Sequence, residues 1–490
     1  MPQPADNGNV LSDIEPGSIR RIHLVGVAGT GMGSFAGMLK SLGYEVTGSD
    51  ENVYPPMSDM LRAWGVHVMT PYSPENIDHA LPDLVVIGNV IRRVNPEATA
   101  VRERGIPQMS FPAAMGSLVL REKHSIVVAG THGKTTTSAL MAHVLVDAGT
   151  DPTFLVGGVT LNYSGNYRIG EGPYVVVEGD EYDTAYFDKG PKFLHYRART
   201  AIVTSIEFDH ADIYRDLAHY ELSFEKFART LPPDGLLAVA ASYPMAVDLM
   251  RRTSAARVVT YAGTGDADYV ARDLQFGHEG ARFTIVEPAG RSVPLLLPMS
   301  GEQNVENAVG VYAVARGLGL SPAQIAHGFA SFRGVKRRQE ERGEPAGVLV
   351  IDDFAHHPTA VRQTIDGIRR RYVGRRLWAI FEPRSNTSRR NIHQREYAGS
   401  FTGADRVSIK VPEPHDKVPL NEQLDVPAVV AALREQGIDA DAASDVERLI
   451  DDIVREAAPG DVLLVMSNGA FGGLIPKVME RLAERRAAAH

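Results

Sequence analysis

The chain has 490 residues, 44% of them hydrophobic and 23% charged, which is the composition of a globular protein with about three domains. Its net charge of −9 disfavours nucleic acid as a partner, and it has no cysteine for a disulfide, a thiolate metal site or a thiol nucleophile. No apolar run approaches the roughly 20 residues of a membrane span, so we expect no membrane partner and a soluble, cytoplasmic protein.

The first part of the chain predicts a tail followed by an α/β domain. Residues 1–19 are polar, contain proline and glycine and lack an apolar signal core, so we expect a disordered tail. From residue 20 to 124, short apolar strands at 22–27, 44–48 and 84–88 alternate with helical patterns. This alternation predicts a parallel sheet with right-handed crossovers, as in a Rossmann-like domain.

A glycine-rich turn follows the first predicted strand. Gly31, Gly33 and Ala36 satisfy the pattern G-x-G-x-x-A, Gly29 precedes them, and Asp50 ends the second strand. The backbone N–H groups of such a turn, with the N-terminus of the next helix, can hold a nucleotide diphosphate. The pattern alone does not distinguish an NAD-dependent oxidoreductase from a protein that binds another diphosphate nucleotide.

The second unit, residues 125–342, opens with the most informative segment of the chain. An apolar strand at 125–129 runs into a glycine turn, and a helical pattern follows from Thr136. Strand, turn and helix in this order predict a P-loop-like phosphate cradle, in which Lys134 reaches the terminal phosphates and the Thr135 hydroxyl binds Mg²⁺. The candidate phosphate contacts are Gly130, Thr131, His132, Gly133, Lys134, Thr135 and Thr136.

Two further strands of the second unit, at 174–178 and 201–206, end in acidic segments. Ligands of open α/β sheets gather at the carboxyl ends of strands, and carboxylates there can hold Mg²⁺. A histidine in such a place can ligate a metal, orient a phosphate or act as a base. The residues concerned are Glu178, Asp180, Glu181, Asp183, Glu207, Asp209, His210 and Asp212.

The third unit, residues 343–490, repeats the α/β pattern, with strand-like runs at 348–352, 377–381, 406–409 and 462–466. Helical patterns separate these runs, which predicts a second Rossmann-like domain. Polar residues again follow the strands. They are Asp353, Phe354 and His356 after the first run, and Arg384, Ser385 and Asn386 after the second.

We make separate predictions for two arginines of this region. Arg338, next to Arg337 just before the third unit, could reach phosphates when the domains close. Arg384 could bind a substrate carboxylate through two parallel hydrogen bonds, or it could pair with a neighbouring Asp or Glu. The sequence leaves these two possibilities for Arg384 open.

Taken together, these motifs resemble those of the Mur ligase family, the ATP-dependent amide ligases of peptidoglycan synthesis. The chain departs from the usual family pattern at Gly179, where the family tends to have alanine, and this small change puts no catalytic residue in doubt. The matching segments follow the family order over nearly the whole chain and comprise residues 130–136, 178–181, 207–210, 302–307, 337–338 and 353–358.

Within the family, four segments look like the branch that joins UDP-N-acetylmuramate to the tripeptide L-Ala-γ-D-Glu-meso-diaminopimelate in peptidoglycan recycling. They are residues 48–58, 187–193, 381–387 and 466–473. The alternative is the branch that adds L-alanine. The resemblance implies that ATP phosphorylates the lactyl carboxylate, that a free amine attacks the acyl phosphate, and that phosphate leaves as the amide forms.

The resemblance also implies ATP and Mg²⁺ as cofactors and assigns roles to the three units. Residues 20–124 would bind UDP-N-acetylmuramate, residues 125–342 would bind ATP, and residues 343–490 would bind the amine substrate. Lys134, Glu178 and His210 would be catalytic. Thr135 and Glu178 would hold one Mg²⁺, and His210 would help to hold a second. The other ATP contacts would be Asn304, Asn307, Arg338, Asp353 and Phe354. The substrate contacts would be Gly29, Gly31, Gly33, Asp50, His356, Arg384, Ser385 and Asn386.

Two functions from other classes compete with this interpretation. An NAD-dependent oxidoreductase would use the N-terminal glycine turn, but it leaves residues 130–137 and both acidic strand ends unexplained. A P-loop motor or switch protein would use residues 130–137, but it has no need of a separate nucleotide-binding unit ahead of the phosphate loop. We therefore expect a ligase.

Overall fold

A computed structural model describes residues 7–163, 165–211, 213–413 and 418–488. These residues form three α/β domains in chain order, each built around a sheet that is wholly or mainly parallel. The structure confirms the predicted fold class. No helix in the described ranges is long and apolar enough to cross a membrane.

The N-terminal domain contains a five-stranded parallel sheet in the order β3-β2-β1-β4-β5. The strand order changes direction at β1, and ligands of such sheets bind outside the carboxyl ends of the strands at that point. The glycine turn follows β1 directly. The elements are β1 Arg21–Val25, α1 Thr30–Ser41, β2 Glu45–Ser49, α2 Met57–Ala63, β3 His67–Met69, α3 Pro74–Ala80, β4 Leu84–Ile87, α4 Pro96–Glu103, β5 Gln108–Ser110 and α5 Phe111–Leu118.

Residues 7–19, which were expected to be part of a disordered tail, differ from that expectation. The backbone N–H of Leu11 donates to the Gln108 carbonyl on β5 over 2.9 Å. The carboxylate of Asp13 lies 2.8 Å from both Arg121 and Arg197. Polar composition suggested disorder, but the segment is held by backbone pairing and ion pairs whose partners lie far away in sequence. Residues 1–6 of the expected tail lie outside the described residues.

The central domain contains a ten-stranded sheet in the order β17-β16-β15-β14-β13-β12-β6-β9-β7-β8, and β10 and β11 form a separate pair. The strand of the phosphate loop, β6, lies between β12 and β9 and runs parallel to both. The elements are β6 His124–Ala129, α6 Lys134–Asp147, β7 Thr153–Leu155, β8 Tyr167–Arg168, β9 Tyr174–Gly179, β10 Asp183–Ala185, β11 Asp188–Pro191, β12 Ala198–Val203, α7 Leu217–Ala228, β13 Leu236–Ala240, α8 Pro244–Thr253, β14 Arg257–Ala262, β15 Tyr269–Gly277, β16 Gly280–Val286, β17 Ser292–Leu297, α9 Glu302–Gly317 and α10 Pro322–Ala330.

Side chains on β6 alternate between two hydrophobic cores. Val127 packs into the core that also includes residues of the N-terminal domain, and Val128 packs into the core beneath α6 and α9. Burial on both faces explains why β6 is continuously apolar, as strands of parallel sheets covered on both sides are. Packing on both faces holds β6 in place, so the turn that follows it begins at a fixed position.

The C-terminal domain contains a six-stranded sheet in the order β18-β19-β23-β20-β21-β22, in which β18 is antiparallel and the other strands are parallel. The sheet begins at Glu340, slightly before the unit that the sequence predicted from residue 343, because the polar strand β18 has no apolar pattern. The elements are β18 Glu340–Gly343, β19 Leu349–Asp353, α11 Pro358–Arg371, β20 Leu377–Phe381, α12 Gln394–Ser400, β21 Arg406–Lys410, α13 Val426–Glu435, β22 Asp439–Ala443, α14 Val446–Glu456, β23 Val462–Met466 and α15 Leu474–Ala488.

Candidate active site

The turn between β6 and α6 requires glycine at two positions. Gly130 has φ +136°, and a Cβ there would lie 2.2 Å from Thr204 Oγ1. Gly133 has φ +77°, and a Cβ there would lie 2.7 Å from Asn307 Nδ2. Only glycine adopts these conformations without strain and leaves the backbone this close to its neighbours. The turn delivers Lys134 and Thr135 to the first turn of α6, which begins two residues earlier than predicted.

Lys134 is buried at the base of this turn. Its ammonium donates to the Gly130 carbonyl over 2.6 Å and to both carboxylate oxygens of Glu181, at 2.9 and 3.2 Å. Burial alone would lower the pKa of Lys134, but the negative charges of Glu181 and Asp180 raise it above its usual value. Lys134 therefore carries a full positive charge at neutral pH, as a phosphate ligand must.

Glu178, at the end of β9, lies against the first turn of α6. Its carboxylate accepts from the Thr135 hydroxyl over 2.9 Å and from the Gly157 N–H over 2.7 Å. Burial, and then the charge of Asp180, raise the pKa of Glu178. A cation beside this carboxylate would offset both the cost of burying its charge and its repulsion by Asp180. Hydroxyl and carboxylate oxygens are the donors that Mg²⁺ prefers, so Thr135 and Glu178 fit such an ion.

His210 follows β12 in a left-handed conformation, with φ +53°. Its Nε2 lies 3.2 Å from Glu181 Oε1. Burial lowers the pKa of His210, but the hydrogen bond and the charge of Glu181 outweigh burial and raise it to about 9. The structure thus places Lys134 and His210 on one carboxylate, and Thr135 and Glu178 together beside them. Asp212, which the sequence placed in the same acidic segment, lies outside the described residues.

A cavity lies between the central and C-terminal domains on the other side of the turn. Asn304 is fixed in it by donating to the Ser300 carbonyl over 2.7 Å. Arg338 donates to Thr135 Oγ1 over 3.1 Å, and its guanidinium lies 4.8 Å from the centre of the Phe354 ring. Residues that the sequence assigned to one nucleotide site therefore line one cavity, among them His132, Thr136, Asn304, Asn307, Arg338 and Asp353.

The glycine turn of the N-terminal domain is shaped by Asp50. One carboxylate oxygen of Asp50 accepts from the Ala28 N–H over 2.9 Å, and the other accepts from the Asn52 N–H over 3.1 Å. At Gly33 a Cβ would lie 2.3 Å from Met57 Sδ and 3.0 Å from the Val27 carbonyl oxygen. At Gly31 the nearest atom would be 3.6 Å away, so this position leaves open space above the helix N-terminus.

Three contacts hold the N-terminal domain against the acidic strand ends of the central domain. Ser34 on α1 donates to Asn166 over 2.7 Å. Ser110 donates to Asp188 over 2.9 Å. The ammonium of Lys192, which also pairs with Asp180 at 2.9 Å, lies 5.8 Å from the centre of the Phe111 ring. The first helix of the glycine turn is therefore packed directly on the central domain.

The predicted residues of the C-terminal domain fall into two groups. His356 lies after β19, with Nδ1 3.1 Å from the Phe354 carbonyl, and its own carbonyl accepts from Tyr397 over 2.6 Å. Arg384, Ser385 and Asn386 follow β20, and the Ser385 hydroxyl donates to Ser388 Oγ over 2.9 Å. Arg384 is exposed and lies over Gly469, where an added Cβ would come within 2.2 Å of Arg384 Nη1.

Sequence reasoning gave no role to three residues that the structure places in the site. Glu181 was recognised only as one of several acids, yet it binds both Lys134 and His210. Gly157 supplies an N–H to Glu178 from a loop with no motif of its own. Glu207 pairs with His132 at 2.9 Å. Apart from the position of Glu181 and Glu207 at strand ends, no signal in the sequence pointed to these contacts.

The geometry defines the class of protein. Its phosphate loop, acidic strand ends and three-domain order are those of an ATP-dependent ligase, and three domain families match the chain. A Mur ligase family catalytic domain matches residues 21–123, a Mur ligase middle domain matches residues 128–315, and a Mur ligase glutamate ligase domain matches residues 337–469.

Individual similar proteins give a finer comparison than the domain families. The chain is 38% identical, over 96% of its length and 100% of the relative's, to a UDP-N-acetylmuramate–L-alanyl-γ-D-glutamyl-meso-2,6-diaminoheptandioate ligase of Escherichia coli K12. It is 34% identical, over 95% of its length and 97% of the relative's, to a UDP-N-acetylmuramate–L-alanine ligase of Kineococcus radiotolerans. A crystal structure of a murein peptide ligase from Psychrobacter arcticus matches with a TM-score of 0.70 and 34% identity, covering 94% of this chain and 98% of that one. The chain belongs to the Mur ligase family.

Proposed function

We propose that this protein joins UDP-N-acetylmuramate to the tripeptide L-Ala-γ-D-Glu-meso-diaminopimelate, with ATP hydrolysis, in the recycling of peptidoglycan in the cytoplasm. The observation that carries the proposal is the full-length similarity to the E. coli ligase for that peptide, at 38% identity. The site geometry supports it, because the phosphate loop contacts the acidic strand ends, and Lys192 links Asp180 there to Phe111 beside the N-terminal glycine turn.

The chemistry follows from the residues in place. Lys134 and the N–H groups at the start of α6 bind the ATP phosphates, where a fixed positive charge stabilises the transferring phosphoryl group. Asn304 and Asn307 line the side of the cavity suited to the base, and Arg338, Asp353 and Phe354 contact the nucleotide from the domain border. Thr135 and Glu178 would hold one Mg²⁺, and His210, once deprotonated, would help to hold a second. Bound Mg²⁺ would neutralise phosphate charge.

Each domain then supplies one reactant. The N-terminal domain, residues 20–124, binds the diphosphate of UDP-N-acetylmuramate through Gly29, Gly31 and Gly33, with Asp50 holding the turn. The C-terminal domain, residues 343–490, brings the amine, with His356 near the muramate. Arg384, Ser385 and Asn386 contact the distal end of the tripeptide. ATP bound to the central domain, residues 125–342, phosphorylates the lactyl carboxylate. The amine then attacks the acyl phosphate, and inorganic phosphate leaves.

The test is a product assay by mass spectrometry with ATP, Mg²⁺, UDP-N-acetylmuramate and an equimolar mixture of tripeptide and L-alanine. The expected product is UDP-N-acetylmuramoyl-tripeptide, with one phosphate released per amide. Lys134→Ala serves as the inactive control, since losing one charged group at such a site commonly costs about 10²-fold or more.

The same assay tests the second candidate, an L-alanine-adding ligase. This candidate is favoured by the 34% identity to the K. radiotolerans enzyme and by a TM-score of 0.77 to a UDP-N-acetylmuramate–alanine ligase from Thermotoga maritima at 27% identity, over 96% of this chain and 100% of that one. Faster incorporation of L-alanine than of tripeptide would replace the first proposal by the second.

A further inference from the structure

Two histidines and a carboxylate meet at the border of the central and C-terminal domains, at the phosphate loop but with no hydrogen bond or ion pair to Glu178 among the described residues. His132 Nε2 lies 2.9 Å from Glu207 Oε2, and His357 Nδ1 lies 3.8 Å from the same oxygen. The three ligand atoms they offer lie within 4.8 Å of one another. In a tetrahedral Zn²⁺ site with bonds of about 2.0–2.1 Å, neighbouring ligand atoms are about 3.4 Å apart.

The cluster is held by the fold and not only by its own contacts. The backbone of His132 is fixed by its N–H donating to Ser205 Oγ over 2.9 Å. The backbone of Glu207 is fixed on both sides by the Thr131 hydroxyl, which donates to its carbonyl and accepts from its N–H, each over 2.9 Å. His132 and Glu207 thus form one rigid pair, as two ligands of a metal site must.

His357 is buried beside this pair with weakly used ring nitrogens. The residue is only 7% exposed, and its Nε2 is buried without a hydrogen-bond partner among the described residues. Its Nδ1, which faces Glu207, accepts from the Thr359 N–H over 3.3 Å, at the long end of the range for such bonds. A buried polar group with weak or missing partners is costly, so a metal ion on this ring gains a bond and replaces only a weak one.

We propose that His132, Glu207 and His357 form a binding site for one transition-metal ion such as Zn²⁺ or Co²⁺, separate from the Mg²⁺ sites at Thr135, Glu178 and His210. Two imidazole nitrogens and one carboxylate oxygen select such borderline ions over Mg²⁺, which prefers oxygen ligands. The bound ion leaves at least one coordination position for water.

The site lies between two domains, so a bound ion would affect how they are held together. His132 belongs to the phosphate loop, and His357 caps the first helix of the C-terminal domain as the N-cap of α11. An ion bound by both ties the two domains together and fixes the His132 ring, which lines the nucleotide cavity.

The experiment uses the full chain, freed of metal with a chelator and titrated with CoCl₂ and ZnCl₂ in the absence of nucleotide and Mg²⁺. One Co²⁺ binds per chain, with the visible absorption of a four- or five-coordinate ion. Glu207→Gln and His357→Gln each weaken binding by about tenfold or more, whereas Glu178→Gln and His327→Gln, on an exposed helical position, do not.

Circular dichroism checks the fold of each variant, and His132→Gln replaces His357→Gln if that variant unfolds. Equal affinity in wild type, Glu207→Gln and the folded histidine variant would overturn the site. So would displacement of Co²⁺ by millimolar Mg²⁺, or a loss of binding in Glu178→Gln, since either would place the ion at the Mg²⁺ site. Because the titration needs no substrate, its result is independent of whether the protein is a tripeptide ligase.

Discussion

The ammonium of Lys134 lies 2.9 Å from Glu181 Oε2, and the Glu181 side chain is completely buried. The same carboxylate lies 3.2 Å from His210 Nε2 and accepts from Tyr220 over 3.2 Å. One carboxylate thus orients a phosphate-loop lysine and a candidate metal ligand at once. Removing its charge would leave both groups positioned by weaker contacts.

We expect Glu181→Gln to lower kcat by about tenfold or more, while the KM for ATP changes less, because Glu181 acts through Lys134 and His210 and not by touching ATP. Steady-state kinetics with saturating UDP-N-acetylmuramate and tripeptide measures both constants. The matched control is Asp183→Asn, which removes a carboxylate from the same segment but only an exposed pair with Lys189. An unchanged kcat in folded Glu181→Gln would refute the positioning role.

Glu178→Gln and His210→Gln should each raise the Mg²⁺ concentration that gives half-maximal rate. The reason is that the Glu178 carboxylate, with its pKa raised by burial and by Asp180, lies 2.9 Å from the Thr135 hydroxyl. A bound cation needs these oxygens to replace its water. Mg²⁺ titration of the initial rate at fixed free ATP is the measurement. If both variants keep the wild-type titration curve, Mg²⁺ is held elsewhere.

Gly31→Val should raise the KM for UDP-N-acetylmuramate far more than the KM for ATP. The structure has room for this substitution, because a Cβ at Gly31 would meet only Phe111, at 3.6 Å, and circular dichroism checks the fold. The added methyl groups occupy the space through which a diphosphate approaches the N-terminus of α1. The control is Ser41→Ala. A glycine control such as Gly43→Ala, far from the turn, would itself strain the backbone because Gly43 has φ +94°. Binding of NADH with no binding of UDP-N-acetylmuramate would restore the oxidoreductase interpretation.

The sequence predicted the parts of this molecule whose signal is local. The strands Leu377–Phe381 and Val462–Met466 have the predicted bounds, because each is a buried apolar run between polar segments. The phosphate loop was recognised, although its spacing is shorter than the standard motif, because Gly-Lys-Thr stands between an apolar strand and a helical pattern. The start of α6 was placed two residues late, since Lys134 and Thr135 have no apolar periodicity.

The sequence could not predict contacts between segments that are far apart along the chain. The pairing of Leu11 with Gln108 and the contact of Gly157 with Glu178 depend on the tertiary fold. The sharing of Glu181 between Lys134 and His210 spans three separate strand ends, and each residue alone is a common charged residue. The backbone contacts of Asp50 with Ala28 and Asn52 were likewise not predicted, and its contact with substrate stays a prediction.

Asp188 links acid stability to the contact between the N-terminal and central domains. Burial raises the pKa of its carboxyl, but hydrogen bonds from His195 and Ser110 prevail and lower it to about 2. Because the folded value lies below the unfolded value, the carboxylate stabilises the fold fully above about pH 4, and this contribution is lost as the pH falls toward 2.

Asp188→Asn should therefore reduce the free energy of unfolding at pH 7 by at most about 2 kcal/mol, and nearer 1 because the side chain is partly exposed. The difference from wild type should shrink as the pH falls from 4 to 2. Urea unfolding followed by fluorescence at each pH measures it, with the exposed pair variant Asp234→Asn as the control. A difference that does not vary with pH would mean that packing, and not the charge, is responsible.

In the proposed function, Arg384 reads the amine substrate, and its side chain lies over Gly469 at the carboxyl ends of β20 and β23. A tripeptide ending in diaminopimelate brings carboxylates that L-alanine lacks, and a charged hydrogen bond to one of them contributes roughly 1.5–3 kcal/mol. We expect Arg384→Ala to raise the KM for tripeptide by about tenfold or more, with little change in the KM for ATP.

Gly469→Ala tests the same contact without removing the charge, because its Cβ would come within 2.2 Å of the Arg384 guanidinium and displace it. Its KM for tripeptide should rise in the same direction as that of Arg384→Ala, whereas the exposed variant Arg448→Ala should leave it unchanged. If neither Arg384→Ala nor Gly469→Ala alters the KM for tripeptide, the diaminopimelate end is read by other residues. Arg384 would then be a surface residue whose guanidinium only covers the glycine.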